Sequence, residues 1–141
     1  MTISARVHYA TLALIELALR QPEKAPVAVR EISQRHGIPG PFLVQILRTL
    51  RSAGWVQSIR GSQGGYRLAI APAELTLLEI AEAVGCPETN GQTDATDTPA
   101  NRMLHDVWDA ASEASRAVLA RTTLAEIAAR TAQDDAVMFY I

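Results

Sequence analysis

Residues 38–68 read IPGPFLVQILRTLRSAGWVQSIRGSQGGYRL, and their order decides the fold. Proline and glycine at 39–41 make a turn, with Pro41 suited to the N1 position of the helix that follows. In that helix Leu43, Ile46, Leu47 and Leu50 recur at helical spacing and mark a buried face. Val44, Gln45, Arg48, Arg51 and Ser52 fall on the other side. The helical pattern stops at Gly54. Two strand-like runs, 55–60 and 65–70, then flank a loop whose glycines Gly61, Gly64 and Gly65 permit the positive φ angles of a tight turn. A helix, a turn, a second helix and a hairpin make a helix-turn-helix with a β-wing, a device for reading duplex DNA.

Upstream, Ser4 can cap a helix running to about Arg20, and Val7, Ala10, Leu14, Leu17 and Ala18 give it an apolar stripe. Leu12, Ile15 and Leu19 lie elsewhere on its circumference, so it is buried on more than one side. Residues 25–29 form a β-prone link, and residues 30–36 a two-turn helix with Ile32 inward and Gly37 at its end. Downstream, Pro72 closes the wing. Thr76 caps a helix over 77–84 that Gly85 stops. Residues 87–99 are polar and read as a loop. Residues 100–121 form the longest helix, with Leu104, Val107, Trp108, Ala111, Ser115, Val118 and Leu119 as its apolar stripe. Thr123 caps a last short helix over 124–131, and an apolar tail follows Gln133-Asp134-Asp135. The expected fold class is mainly α with a small β-wing. A DNA-binding region spans 1–72, with its first helix also in a dimer core. A helical linker and dimerisation region spans 73–132, and the tail spans 133–141.

Composition narrows the function. The chain has 141 residues, 48% of them apolar, enough for one real core. Its longest nearly apolar run, residues 10–19, is interrupted by Thr11 and Glu16 and is too short for a membrane span. Arg6 and His8 lead directly into a helix with no cleavage-site pattern, so a cytoplasmic protein is expected. The net charge of −2 hides an asymmetry. Residues 1–71 hold nine Lys/Arg and three Glu, a net +6, whereas residues 72–141 hold four Arg and twelve Asp/Glu, a net −8. The basic half carries the helix-turn-helix, as a polyanionic partner requires, and eight of its nine bases are arginine. The three histidines, His8, His36 and His105, are far apart and show no nucleophile or metal spacing, so no enzyme is expected.

The helix over 41–52 is the candidate reader. Gln bonds adenine and Arg bonds guanine in bidentate geometry, which makes Gln45 and Arg48 candidates, while Val44 suits a thymine methyl. Arg60 stands at the wing tip beside Ser62, where guanidinium can meet phosphate or enter a narrow minor groove. Arg67 reaches phosphate or pairs with a neighbour. Arg6, His8, Pro41 and Arg51 complete the expected DNA-contacting set.

Residues 38–47, Leu50, Ala53-Gly54, Ser58-Ile59-Arg60-Gly61 and Gly64-Gly65-Tyr66 closely resemble the winged-helix bacterial regulators of the Rrf2 family, typified by IscR, NsrR and CymR. The resemblance covers nearly the whole chain. It implies a homodimer whose long helix, residues 100–121, pairs across a two-fold axis, and hence a near-palindromic operator. Two departures stand out. Many members have glutamate where this chain has Val44, so the operator is its own. Cluster-binding members carry three cysteines before and into the long helix, whereas residues 88–104 contain none. Arg102-Met103-Leu104-His105 resembles the last cysteine-to-ligand spacing with arginine in place of the thiolate. The single cysteine, Cys86, precedes that region, so no iron–sulfur cluster and no other cofactor or metal is expected.

The closing residues Met138, Phe139, Tyr140 and Ile141 are apolar where a chain end is usually polar or frayed. They can pack on the fold or dock on a partner. Together with Thr122-Thr123-Leu124 and Ile127-Ala128 they resemble the end of the family's cluster-free regulators of cysteine metabolism. That resemblance implies a repressor of cysteine and sulfur-assimilation genes whose tail docks on cysteine synthase, a pyridoxal-phosphate enzyme, in competition with O-acetylserine. A second reading keeps the fold and changes the signal: Cys86 acts as a redox-sensing thiol, or a small ligand enters the dimer cleft. Against the thiol version, Glu82 and Glu88 disfavour a thiolate. A third reading is a protein–protein adaptor on a winged-helix scaffold that binds no DNA.

Overall fold

In the computed structural model, residues 3–85 and 96–139 are described, the side chains as far as 135. Ser4 opens helix α1 (Ala5–Arg20): its hydroxyl accepts the Val7 amide at 3.2 Å, satisfying one of the free donors of the first turn. Ala10, Ala13, Leu14 and Leu17 of α1 are buried, because the helix is the central post on which the rest packs. Each fully buried leucine stabilises the fold by roughly 1.5–3 kcal/mol relative to leaving it in water.

Helix α2 (Val29–His36) ends at Gly37, whose φ of 66° turns the chain left-handed. The Ser33 hydroxyl then donates to the Ile38 carbonyl at 2.6 Å and fastens the three-residue turn. Helix α3 (Gly40–Ser52) starts one residue earlier than expected, so Pro41 is its second residue rather than its first. Proline is tolerated there because the amides of the whole first turn lack intrahelical acceptors. Leu43, Ile46, Leu47 and Leu50 are all fully buried, as their spacing predicts.

The wing is an antiparallel pair, β1 (Val56–Ile59) and β2 (Gly65–Leu68), in the register Val56↔Leu68, Gln57↔Arg67, Ser58↔Tyr66 and Ile59↔Gly65. The β-prone link upstream supplies one more bridge: Val27 exchanges both backbone bonds with Tyr66, at 2.8 and 2.9 Å. Helix α4 (Leu77–Val84) begins with a complete capping box of Thr76 and Glu79 and stops at Gly85. Helix α5 (Pro99–Arg121) is capped by Thr98. Backbone bonds from Leu77 to Thr122 (2.9 Å) and from Leu124 to Leu75 (2.8 Å) anchor its C-terminal end, and α6 (Leu124–Phe139) returns onto α1.

The end of the chain differs from expectation. A helix over 124–131 followed by a separate tail is replaced by one helix continuing to Phe139. Gln133, Asp134 and Asp135 are polar, but they include neither glycine nor proline, so nothing interrupts the hydrogen-bond ladder. Of the expected partner-binding residues, Met138 and Phe139 therefore belong to α6 by their backbone. Tyr140 and Ile141 lie outside the described residues, as does Cys86.

Candidate nucleic-acid interface

The buried leucine row of α3 fixes the helix by one face and leaves the opposite face in solvent. Pro41, Gln45, Arg48 and Arg51 are exposed, and Val44 is half-buried at the edge of the row. Only Ala53, Gly54 and Trp55 separate α3 from β1, and Gly54 takes a φ of 82° to make the turn between them. Arg60 and Ser62 are exposed on the wing loop. Among the described residues none of Gln45, Arg48, Arg51 and Arg60 directs its side chain into an intramolecular hydrogen bond or salt bridge, so these groups are available to an external acceptor. His8 is exposed on α1.

The wing glycines act for two different reasons. Gly61 has a φ of 114° with open space around it, the conformational role expected. Gly64 is not at positive φ, and its role is room: an added Cβ would sit 2.2 Å from the Ile59 carbonyl oxygen. At Gly65 a Cβ would meet the Val27 carbonyl oxygen at 2.2 Å, so the close approach of the upstream link depends on glycine there.

Two expected DNA contacts have other partners in the structure. Arg6 donates from Nε to the Val84 carbonyl at 3.0 Å and from Nη2 to the Thr49 hydroxyl at 3.1 Å. Its guanidinium is drawn inward because Val84 closes α4, where the last carbonyls lack helical donors. Arg67 donates from Nε to Gln57 Oε1 at 3.1 Å, its cross-strand neighbour, and remains exposed. Sequence reasoning missed the Arg6 links and also the role of Thr49, whose hydroxyl in turn donates to the Gln45 carbonyl at 3.2 Å. A threonine on the reader helix gives no signal that distinguishes it from a solvated one.

Two helices across a three-residue turn, the second with one apolar and one cationic face, followed at once by a glycine-tipped hairpin, define the winged helix-turn-helix class of DNA-binding transcription regulators. Comparison with known proteins places the chain more narrowly. The family model Rrf2, described as an iron-dependent transcriptional regulator, matches residues 3–130, and the chain belongs to that family. The HTH-type transcriptional regulator CymR of Bacillus subtilis is 34% identical over 142 residues, covering 100% of both proteins. The solved structure of CymR, the global cysteine regulator of B. subtilis, superposes with a TM-score of 0.78 at 32% identity, covering 92% of this chain and 98% of that one. IscR from T. potens superposes at 0.75 and 30% identity, covering 93% and 88%. These relatives are regulators, not enzymes, in agreement with the scattered histidines.

The family description names iron. The sequence has one cysteine, and among the described residues no three His, Cys, Asp or Glu side chains converge. No described helix is long and apolar enough to cross a membrane.

Proposed function

We propose that this chain is a cytoplasmic, homodimeric repressor of genes for cysteine and sulfur metabolism, acting without a cofactor. Its reader would be Val44, Gln45, Arg48 and Arg51 on α3, with Arg60 and Ser62 on the wing, and Pro41, His8 and Arg67 at the margins. The observation that carries the DNA half is the exposed, unengaged row of Gln45, Arg48 and Arg51 on a helix whose other face is fully buried. Each bidentate base contact discriminates by roughly 1–3 kcal/mol. The regulatory assignment is supported by likeness to a global cysteine regulator along the full chain. The homodimer is supported by the apolar stripe of α5, which no other described part of the same protomer covers: Val107 is 56% and Trp108 60% exposed.

The test is a fluorescence-anisotropy titration against promoter DNA of the chain's own operon at several salt concentrations. Log affinity should fall steeply with log salt, by about 0.9 for each phosphate neutralised. Weak binding with a flat salt dependence would overturn the reading. Gln45→Ala and Arg60→Ala should both weaken the complex, whereas an adaptor that binds no DNA would tolerate both. The same proposal includes a cysteine synthase docking on residues 138–141, with Tyr140 and Ile141 entering a pocket of the enzyme. Deleting Tyr140 and Ile141 should abolish that association. Unchanged affinity for the enzyme after the deletion would remove this part and leave the DNA reading standing.

A further inference from the structure

Between the C-terminal end of α1 and the wing lies a cleft of about 530 Å3, within the size range of small-molecule sites. Its lining includes the apolar residues Leu17, Val27, Leu68 and Ile70. Three cations, Arg20, Lys24 and Arg67, stand among its lining residues, and none of those residues is acidic. Arg20 is already held by Glu16 and Glu31. Lys24 and Arg67 are different. Among the described residues Lys24 has no side-chain partner, and Arg67 uses Nε for Gln57 and leaves both terminal nitrogens available. The two come from separate elements, Lys24 from the turn after α1 and Arg67 from β2.

We infer that this cleft is a binding site for a small organic anion with an apolar body, a short-chain carboxylate in kind, held between Lys24 and Arg67. The apolar lining takes the hydrocarbon, and the two cations take the carboxylate, a division of labour common to sites for amphipathic metabolites. Occupation has a consequence for DNA. An Arg67 whose terminal nitrogens hold a carboxylate is neutralised and turned away from a DNA phosphate, and a ligand bridging the two walls fixes the wing against α1. The anion is therefore an antagonist of DNA binding. This second half rests on the DNA-reader assignment, and the first half does not.

The probe is hexanoate, titrated into the full-length protein and followed by amide NMR, with inorganic phosphate as the parallel arm. Hexanoate should shift the amides of Lys24, Ala25, Gln57 and residues 67–71 saturably. Lys24→Asn, which keeps a residue tolerant of the left-handed backbone present there (φ 57°), should weaken binding about tenfold, as should Arg67→Gln. Absence of saturable shifts up to on the order of 10 mM, or equal shifts in Lys24→Asn, would overturn the site. Shifts with phosphate and none with hexanoate would overturn it too, marking a seat for the DNA backbone instead. With a duplex selected from random sequence by the protein itself, saturating hexanoate should lower affinity several-fold in the wild type and not in Lys24→Asn. Binding of hexanoate with no change in duplex affinity would overturn the antagonist role alone. The NMR arm contains no DNA, so failure of the site and failure of the DNA-reader assignment are separately visible.

Discussion

Glu16 sits one turn from the end of α1 with 1% of its surface exposed, a carboxylate among alanines and leucines. It is tolerated because two arginines and a histidine meet it: Arg35 Nε and His36 Nε2 at 3.0 Å on Oε1, and Arg20 Nε at 3.2 Å on Oε2. Arg35 and His36 close α2, so one side chain fastens the first helix of the helix-turn-helix to the central post. Arg20 also bonds Glu31, which raises its pKa and extends the network along α2. Replacing Glu16 by alanine removes its three bonds and leaves the Arg20–Glu31 pair. The stranded partners are not deeply buried, with the Arg35 side chain 52% exposed, so water compensates part of the loss. The cost should lie near that of hydrogen bonds to a charged group, about 1.5–3 kcal/mol. Thermal unfolding followed by circular dichroism at fixed protein concentration should show Glu16→Ala lowered by roughly 4 °C for each kcal/mol, with Glu16→Gln in between. A midpoint unchanged in Glu16→Ala would contradict this account. In the sequence Glu16 appears only as an interruption of an apolar run. Its i,i+4 partner Arg20 is visible there, but Arg35 and His36 are about twenty residues away, and only the fold brings them together.

Among the elements, those with strong local signals were legible. The period of Leu43, Ile46, Leu47 and Leu50 identified α3 and its inward face, and Thr76 and Gly85 bounded α4 correctly. Non-local features were not legible: the Val27 bridge onto β2 and the steric need for glycine at Gly64; the continuation of α6 through Asp134 and Asp135 is local, and polar residues there do not break a helix. Arg6 belongs to the non-local group. Its guanidinium joins the end of α4 to Thr49 on α3, and Thr49 bonds back to the Gln45 carbonyl, so it couples α4 to the reader helix. A phosphate ligand and a positioning residue leave different signatures. Arg6→Ala in the first role would reduce the salt slope by about 0.9 per site and weaken all sequences alike. In the positioning role the slope stays and discrimination between a selected duplex and a scrambled one falls. The second outcome is expected, by roughly tenfold in the affinity ratio. Anisotropy titrations at three salt concentrations on both duplexes separate the two, and a reduced slope with discrimination intact would return Arg6 to the DNA-contacting set.

The whole molecule poses a problem that a single protomer does not solve. Helix α5 buries none of its residues fully. Met103, Leu104, Val107, Trp108 and Val118 are 46–69% exposed, on a helix whose contacts with its own chain centre on α4 and include the pair Arg116–Glu82 at 3.0 Å. A run of large apolar side chains along one helix marks an association surface. In the sequence the stripe was legible as a stripe, yet spacing alone does not distinguish an inward face from an interface, because both exclude water. Its exposure in the protomer is what an association surface predicts. A second copy, placed by a two-fold axis, would cover the stripe with itself and set two reader helices for half-sites about 34–36 Å apart. Trp108 is the natural anchor, since tryptophan in a desolvated centre carries much of an interface's free energy. Trp108→Glu places a charge there. Sedimentation velocity at low micromolar concentration should show it as a monomer while the wild type is a dimer, the affinity between copies falling by about 100-fold or more. Because its exposed position contributes nothing to the protomer core, its helical circular dichroism should persist. Its DNA affinity should fall to that of one half-site, which separates loss of assembly from loss of the reader. If Trp108→Glu sedimented as a dimer and bound DNA like the wild type, α5 would not be the seam.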